Sequence, residues 1–169
     1  MTIPDLIKQY LSKGGNRGKY LWSQTSLFAG ANKQIGVSGR TAKEIGCAIF
    51  CLTRVYNLVF DGKPLLRPYQ FIDIINKNAK EKNYTDWLTR GGNIYWNSLD
   101  RISKGKITHT YKKEEAHFVL GCVQWGDITH WVLKLGDGTL CYNPYGGTIE
   151  PFSNNKWHDT KREIYYKLN

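Results

Sequence analysis

Three residues whose types cooperate in thiol chemistry stand in order along the chain: Cys47, His130 and Asn143. Cys47 follows Gly46 at the point where a loop rich in glycine, serine and lysine gives way to an apolar segment. A helix that starts there would place the thiol at the positive end of the helix dipole, beside unpaired backbone N–H groups. Both features stabilise a thiolate and lower the pKa of a cysteine, so Cys47 is a candidate nucleophile.

The same segment allows a second interpretation of Cys47. Thr41 and Glu44 have the spacing of a capping box, which predicts a helix that begins before the thiol. Cys47 would then lie in the second turn, where the dipole effect has faded, and would be a small core residue. The local sequence leaves both interpretations open.

His130 and Asn143 lie on either side of a predicted turn at residues 136–138. His130 is seven residues before Asp137 and Asn143 is six after it, so in an antiparallel pair they should lie opposite each other to within one residue. An amide oxygen beside an imidazole holds one tautomer and leaves the other nitrogen free to take a proton from a thiol. The three residues therefore include a candidate nucleophile, base and orienting group.

The elements that must position these residues follow the α+β order, in which helices come first and strands second. Apolar periodicity predicts helices over residues 4–11, 48–59, 68–79 and 95–103, with a long irregular lead-in over residues 16–46. Strands are predicted over residues 116–125, 129–135, 139–143 and 163–168. Tight turns at residues 126–127 and 136–138 make residues 116–143 an antiparallel meander. We find no repeat or linker, so residues 1–169 are predicted to form a single domain.

Composition and charge narrow the classes of protein. With 169 residues, of which 41% are apolar, the chain is neither disordered nor fibrous. The longest unbroken apolar run, residues 47–52, is far shorter than the roughly 20 residues that a membrane helix needs, and we see no secretory signal. We therefore expect no transmembrane segment and no export signal.

The net charge predicts an affinity for polyanions. The chain has 24 Lys and Arg against 14 Asp and Glu, a formal charge of +10. Such a charge attracts nucleic acid, anionic lipid and the anionic polymers of bacterial walls. The basic residues are scattered and are densest at residues 77–82 and 104–113, which favours a solvated basic surface over a nucleic-acid groove.

The cysteines indicate thiols rather than cross-links or metal ligands. The chain has four cysteines and no Cys-x-x-Cys pair, which predicts free thiols. Cys51 lies one helical turn after Cys47 and should pack beneath it, and the other two cysteines fall in predicted strands. A zinc site made of Cys47, Cys51, His117 and His130 would not have a recurrent zinc spacing. The sequence therefore predicts neither a metal nor a cofactor.

A series of short motifs stands in one order over about residues 22–152. They are Trp22-Ser-Gln-Thr, Ile35-Gly-Val-Ser-Gly, Ile45-Gly-Cys47, residues 64–69, Gly91-Gly-Asn-Ile-Tyr-Trp96, His130-Trp-Val and Asn143-Pro-Tyr-Gly-Gly. Together they resemble the papain-like cysteine peptidases of the C39-like family, many of which are bacterial or bacteriophage proteins. Several short motifs in order are more specific than any one of them.

The resemblance implies a papain-like fold, in which N-terminal helices, with the nucleophile at a helix start, pack on a C-terminal antiparallel sheet. It implies that Cys47 is the nucleophile, His130 the general base and Asn143 the orienting residue. Gln24 would donate to an oxyanion hole beside the backbone N–H of Cys47, and Gln34 competes with Gln24 for this role. Two departures are Cys47-Ala-Ile where many members have Cys-Gly-Pro, and Asn143 where Asp is common.

The function that the resemblance implies is a cysteine peptidase or amidase that cleaves an amide bond through a thioester acyl-enzyme. The expected substrate is a peptide or the peptide part of peptidoglycan, and the positive charge would hold the enzyme on an anionic wall polymer. The expected location is the cytoplasm, or outside the cell after phage delivery or release at lysis. Two alternatives stay open: an inactive papain-like fold that serves as a binding or effector module, and a basic nucleic-acid binder.

Overall fold

The computed structural model describes residues 19–81 and 87–169, so the helix predicted over residues 4–11 lies outside the described residues. The α-helices are α1 (Ala42–Ile45), α2 (Cys47–Phe60), α3 (Pro68–Glu81) and α4 (Ser98–Ile102). The strands are β1 (Ile107–Thr110), β2 (Phe118–Trp125), β3 (Ile128–Leu135), β4 (Leu140–Asn143), β5 (Thr148–Pro151) and β6 (His158–Leu168). The predicted α+β order, helices before strands, is confirmed.

The central helix is α2, which packs on β3 and on α3. Most of the apolar side chains of this helix are buried, and Phe50, Leu52 and Val55 are fully inaccessible to solvent. The helices predicted over residues 48–59 and 68–79 are confirmed as α2 and α3. α4 is shorter than predicted, because residues 95–98 form a turn that is held on β6 by a 2.6 Å hydrogen bond from the Tyr166 hydroxyl to the carbonyl of Trp96. In the described part of the chain, we find no helix with the length and apolar character needed to cross a bilayer.

The sheet has the strand order β1-β6-β2-β3-β4-β5, and all its pairs are antiparallel. The meander predicted over residues 116–143 is confirmed as β2, β3 and β4, and β5 continues it. The predictions missed β1 and β5, which have four residues each and no strict alternation of buried and exposed positions. The predicted start of β6 is also five residues later than the observed one, because the first residues of this strand are polar and carry no strand signal.

The sheet buries apolar side chains on both faces. The main core, on the α2 face, includes Leu120, Leu133 and Tyr142. A smaller cluster contains Val123, Val132, Cys141 and Phe152. Successive side chains of a strand point to opposite faces, so Trp131 lies on the α2 face whereas its neighbour His130, paired with Val123, lies on the face of the smaller cluster.

Candidate active site

Cys47 is the first residue of α2, and Gly46 is the N-cap of that helix. The capping box of Thr41 and Glu44 also exists, but it caps the separate one-turn helix α1. The thiol at a helix start is therefore confirmed, and so is the capping box. A Cβ on Gly46 would lie 2.5 Å from the carbonyl oxygen of Ala42, so the tight join between the two helices requires glycine.

The Cys47 thiol packs against the backbone of β3. Cys47 is 8% exposed, and the backbone N–H of Trp131 acts on its thiol. β4 pairs with β3 only at residues 133–135 of β3, so Trp131 lies beyond the paired region. One turn later Cys51 contacts the same residue, with its sulfur 3.6 Å from the carbonyl oxygen of Trp131. The start of α2 thus lies against the part of β3 that is not paired with β4.

The surroundings of Cys47 favour the neutral thiol. Burial raises its pKa, and hydrogen bonds from the backbone N–H groups of Trp131 and Ala48 lower it by less. The prediction that the helix start lowers the pKa of Cys47 is therefore wrong, because desolvation of the thiol outweighs the effect of the N–H groups and the helix dipole in this conformation. Burial also raises the pKa of Cys51 well above its ordinary value and that of Cys141 to about 12.

His130 and Asn143 are joined by a hydrogen bond of 2.8 Å between Nε2 of the imidazole and Oδ1 of the amide. Both side chains are buried, at 4% and 3% exposure. When the β3–β4 register is extended by one pair beyond Leu133 and Tyr142, Asn143 faces Val132, so His130 is its diagonal neighbour on the same face. The predicted proximity is confirmed, although the offset is two residues instead of at most one.

The other partners of Asn143 determine which way its amide points. Its Oδ1 also accepts the backbone N–H of Tyr145 at 3.0 Å, and its Nδ2 donates to Oε2 of Glu150 at 3.4 Å. A backbone N–H can only donate and a carboxylate can only accept, so the amide oxygen faces His130. Nε2 of His130 therefore carries the proton, and Nδ1 keeps its lone pair.

His130 is in the state of a proton acceptor. Burial lowers its pKa, while the hydrogen bond with Asn143 and the negative charge of Glu150 raise it by less. A neutral imidazole with a free Nδ1 can take a proton. Sequence reasoning missed Glu150 because it missed β5. The Gly146-Gly147 turn after Asn143 was the available signal, since a hairpin there sets Glu150 opposite Cys141.

β3 brings Cys47 and His130 near each other. The backbone N–H of Trp131 acts on the Cys47 thiol, and one peptide bond joins Trp131 to His130. Among the hydrogen bonds of the described residues, none joins the thiol to the imidazole. The thiol and the imidazole are thus related through the strand backbone, because the Trp131 N–H belongs to the peptide that joins His130 to Trp131.

Gln24 reaches the same place from a distant segment. It is 2% exposed, and its backbone N–H donates to the carbonyl of Pro144 over 2.6 Å. Its side-chain Nε2 donates to the carbonyl of Lys43 over 2.9 Å. In a continuous helix that carbonyl would accept the N–H of Cys47, a bond that is missing from the described backbone hydrogen bonds. The N–H groups of Gln24 and Cys47 therefore lie at the same join between α1 and α2.

Gln34, the other amide considered for this role, lies elsewhere. It is exposed, and its backbone pairs with Thr41 in an isolated bridge. Asn76 of α3 donates to the carbonyl of Gln34 and accepts the N–H of Gly36, each over 2.9 Å. The backbone of Gln34 anchors the loop that leads to α1, and the structure brings Gln24 to the start of α2 instead.

Two of the sequence motifs contact each other beside the site. Residues 21–25 pack on the turn at residues 144–147, and the Tyr142 hydroxyl donates to the carbonyl of Trp22 over 2.5 Å. Gly147 has a φ of +66°, and a Cβ there would lie 3.0 Å from two backbone atoms of residues 21–25. The close approach holds the Gln24 segment on the turn that follows Asn143.

An aromatic cluster covers the other side of His130. The ring of Trp125 lies 5.5 Å from the imidazole, and it also contacts Tyr145 at 5.3 Å and Trp157 at 6.2 Å between centroids. Tyr145 is 44% exposed, so the cluster extends from the buried imidazole to the surface. The imidazole is thus shielded by aromatic rings that a bound molecule could contact from solvent.

The assembled groups are a thiol, an imidazole with a defined tautomer, and two N–H donors at one helix join. Such a set can remove a proton from the thiol and bind a developing oxyanion. In the ranges 19–81 and 87–169 we find no group of three or more His, Cys, Asp or Glu side chains that could hold a metal ion. Comparisons with protein-family models, curated proteins and solved structures found no match.

Proposed function

We propose that the protein is a cysteine-dependent peptidase or amidase with a papain-like site. In this proposal Cys47 is the nucleophile, His130 the general base and Asn143 the residue that orients the imidazole. The observation that carries it is the single tautomer of His130, which leaves Nδ1 free to accept a proton. His130 directly precedes Trp131, whose backbone N–H acts on the Cys47 thiol. The motifs that resemble C39-like peptidases support it independently.

The proposed reaction begins when Nδ1 of His130 takes the thiol proton as the sulfur of Cys47 attacks the carbonyl carbon of an amide. A C–S bond forms, and the carbonyl oxygen becomes an oxyanion bound by Nε2 of Gln24 and the backbone N–H of Cys47. The C–N bond then breaks, the leaving amine takes the proton from the imidazolium, and a thioester remains. Water, deprotonated by the same imidazole, hydrolyses the thioester and the thiol is restored.

The protonation states suit this sequence of steps. The raised pKa of Cys47 and the lowered pKa of His130 favour a neutral thiol beside a neutral imidazole. Proton transfer then accompanies the attack, whereas in a preformed ion pair it precedes substrate binding. Hydrogen bonds at catalytic groups often tighten only when substrate binds, which accommodates a thiol and an imidazole without a hydrogen bond between them in the described residues.

We favour the peptide part of peptidoglycan as the substrate, with a protein or free peptide as the alternative. The formal charge of +10 would concentrate the enzyme on the anionic polymers of a bacterial wall. The exposed edge of the aromatic cluster at Tyr145 offers a surface on which a peptide or glycan chain could stack.

The test is hydrolysis of purified peptidoglycan and of casein, with new amino termini identified by mass spectrometry. The Cys47→Ala variant should lose at least about a thousandfold in rate, because the nucleophile is gone. It should keep its unfolding free energy to within about 1 kcal/mol, because only one sulfur is removed. Hydroxylamine should release a trapped acyl group from the parent protein and none from this variant.

The matched control is Cys51→Ala, which removes a thiol one turn further along α2. This variant should keep its hydrolytic rate to within about threefold once its folding is checked by circular dichroism. Equal hydrolysis by the parent and Cys47→Ala would exclude the proposed nucleophile. No cleavage of either substrate, together with no acyl trapping at Cys47, would favour a binding module that has kept the fold.

A further inference from the structure

Glu150 in β5 lies behind Asn143 as seen from His130. Its Oε2 accepts hydrogen bonds from Nδ2 of Asn143 at 3.4 Å and from the Thr148 hydroxyl at 2.7 Å. Its Oε1 lies 3.4 Å from Nζ of Lys156, and the side chain is only 14% exposed. The carboxylate is therefore held in one position, and one of its oxygens faces the amide that orients the imidazole.

The charge arrangement accounts for an amide at position 143. A carboxylate at that position would meet the Glu150 carboxylate at hydrogen-bond distance, and two negative charges so close repel each other. With Asn143 and Glu150, a single negative charge remains behind His130, separated from the imidazole by the Asn143 side chain.

We propose that Glu150 is a positioning residue for His130, which acts through Asn143 by holding its amide and by supplying the negative charge that stabilises the imidazolium formed during turnover. The inference rests on the proposed function. It is supported by the effect of Glu150 on His130, whose pKa the carboxylate raises against the larger effect of burial. A charge that favours imidazolium makes Nδ1 a stronger base.

The other charged groups near Glu150 leave this role in place. Lys156 offsets part of the negative charge, but its side chain is 60% exposed and therefore well screened. Cys141, opposite Glu150 in the ladder, stays a neutral thiol because burial and Glu150 raise its pKa to about 12. Lys134, which pairs with Cys141 across β3 and β4, is bound to Glu163 at 3.0 Å.

The experiment replaces Glu150 with glutamine, which removes the charge and keeps an acceptor for Asn143. The titration of His130 is followed by NMR of histidine-labelled protein, and kcat and KM are measured on the substrate that the parent cleaves. Glu150→Gln should lower the pKa of His130 further and reduce kcat about tenfold with KM unchanged. The double variant Asn143→Asp, Glu150→Gln returns one carboxylate to the site and should restore both quantities toward the parent values.

The control is Glu163→Gln, because Glu163 is also a strand glutamate with 14% side-chain exposure and a lysine partner, but is bonded to neither His130 nor Asn143 among the described contacts. It should leave the His130 titration unchanged. An unchanged titration in Glu150→Gln would overturn the inference, whatever the activity. A shifted titration in a protein that cleaves nothing would support the positioning role while the proposed hydrolase function fails.

Discussion

The side-chain amide of Gln24 donates to the carbonyl oxygen of Lys43 over 2.9 Å, four residues before Cys47. The bond occupies the acceptor that an unbroken helix would offer to the N–H of Cys47. The break between α1 and α2 therefore leaves that N–H beside the amide of Gln24. Two donors from segments far apart in sequence meet at the position where the proposed oxyanion would form.

Replacing Gln24 with alanine should separate oxyanion binding from thiol reactivity. We expect kcat/KM for amide hydrolysis to fall about a hundredfold, because one oxyanion donor is lost. Alkylation of Cys47 by iodoacetamide should change by less than about threefold, since attack on a saturated carbon forms no oxyanion. Gln34→Ala should change neither rate. An equal loss of both rates in Gln24→Ala would assign Gln24 to holding the start of α2.

His130 and Asn143 should behave as one unit in a double-mutant cycle. His130→Ala should reduce kcat/KM by at least about a thousandfold, since the base is lost, whereas Asn143→Ala should cost about tenfold to a hundredfold because only orientation is lost. The double variant should be no slower than His130→Ala alone. Kinetics on variants checked by circular dichroism would decide this, and additive losses would show that the two residues act independently.

The pH dependence of alkylation should reveal a neutral thiol. Because burial raises the pKa of Cys47, the thiolate fraction is small at pH 7 and grows as the pH rises past the ordinary cysteine value. Iodoacetamide labelling of Cys47 should therefore increase steadily from pH 6 to pH 10. Cys51, whose pKa is raised further and which is fully buried, should react later. Mass spectrometry of each cysteine measures both, and a constant rate between pH 5 and pH 7 would indicate a thiolate–imidazolium pair.

Gly147 should be needed to hold the Gln24 segment in place. Gly147→Ala combines a left-handed φ of +66° with a Cβ 3.0 Å from two backbone atoms of residues 21–25, so we expect a loss of about 2 to 4 kcal/mol in the unfolding free energy and a lower kcat. Gly39→Ala is the matched control, because Gly39 has a φ of +71° and open space around it. It should cost about 1 to 2 kcal/mol in urea unfolding. Equal costs would mean that the close approach at Gly147 is easily relaxed.

Local patterns in the sequence predicted α2, α3 and the β2–β4 meander. A 3.6-residue apolar period and tight turns that contain glycine are properties of consecutive residues, so they can be recognised without knowledge of the fold. The same holds for Cys47 at a helix start and for the approach of His130 to Asn143, since the turn at residues 136–138 and simple counting place one beside the other.

Only the tertiary structure decided the rest of the candidate site. Gln24 and Gln34 are both loop amides, and the choice between them depends on the contacts of Gln24 with Lys43 and Pro144, which lie 19 and 120 residues further along the chain. Glu150 is placed beside Asn143 by β5. This four-residue strand forms by pairing with β4, and its own residues show no strand pattern. The pKa of Cys47 follows the same rule, because the helix start that favours a thiolate is a local feature, whereas the burial that outweighs it comes from packing against a strand more than 80 residues away.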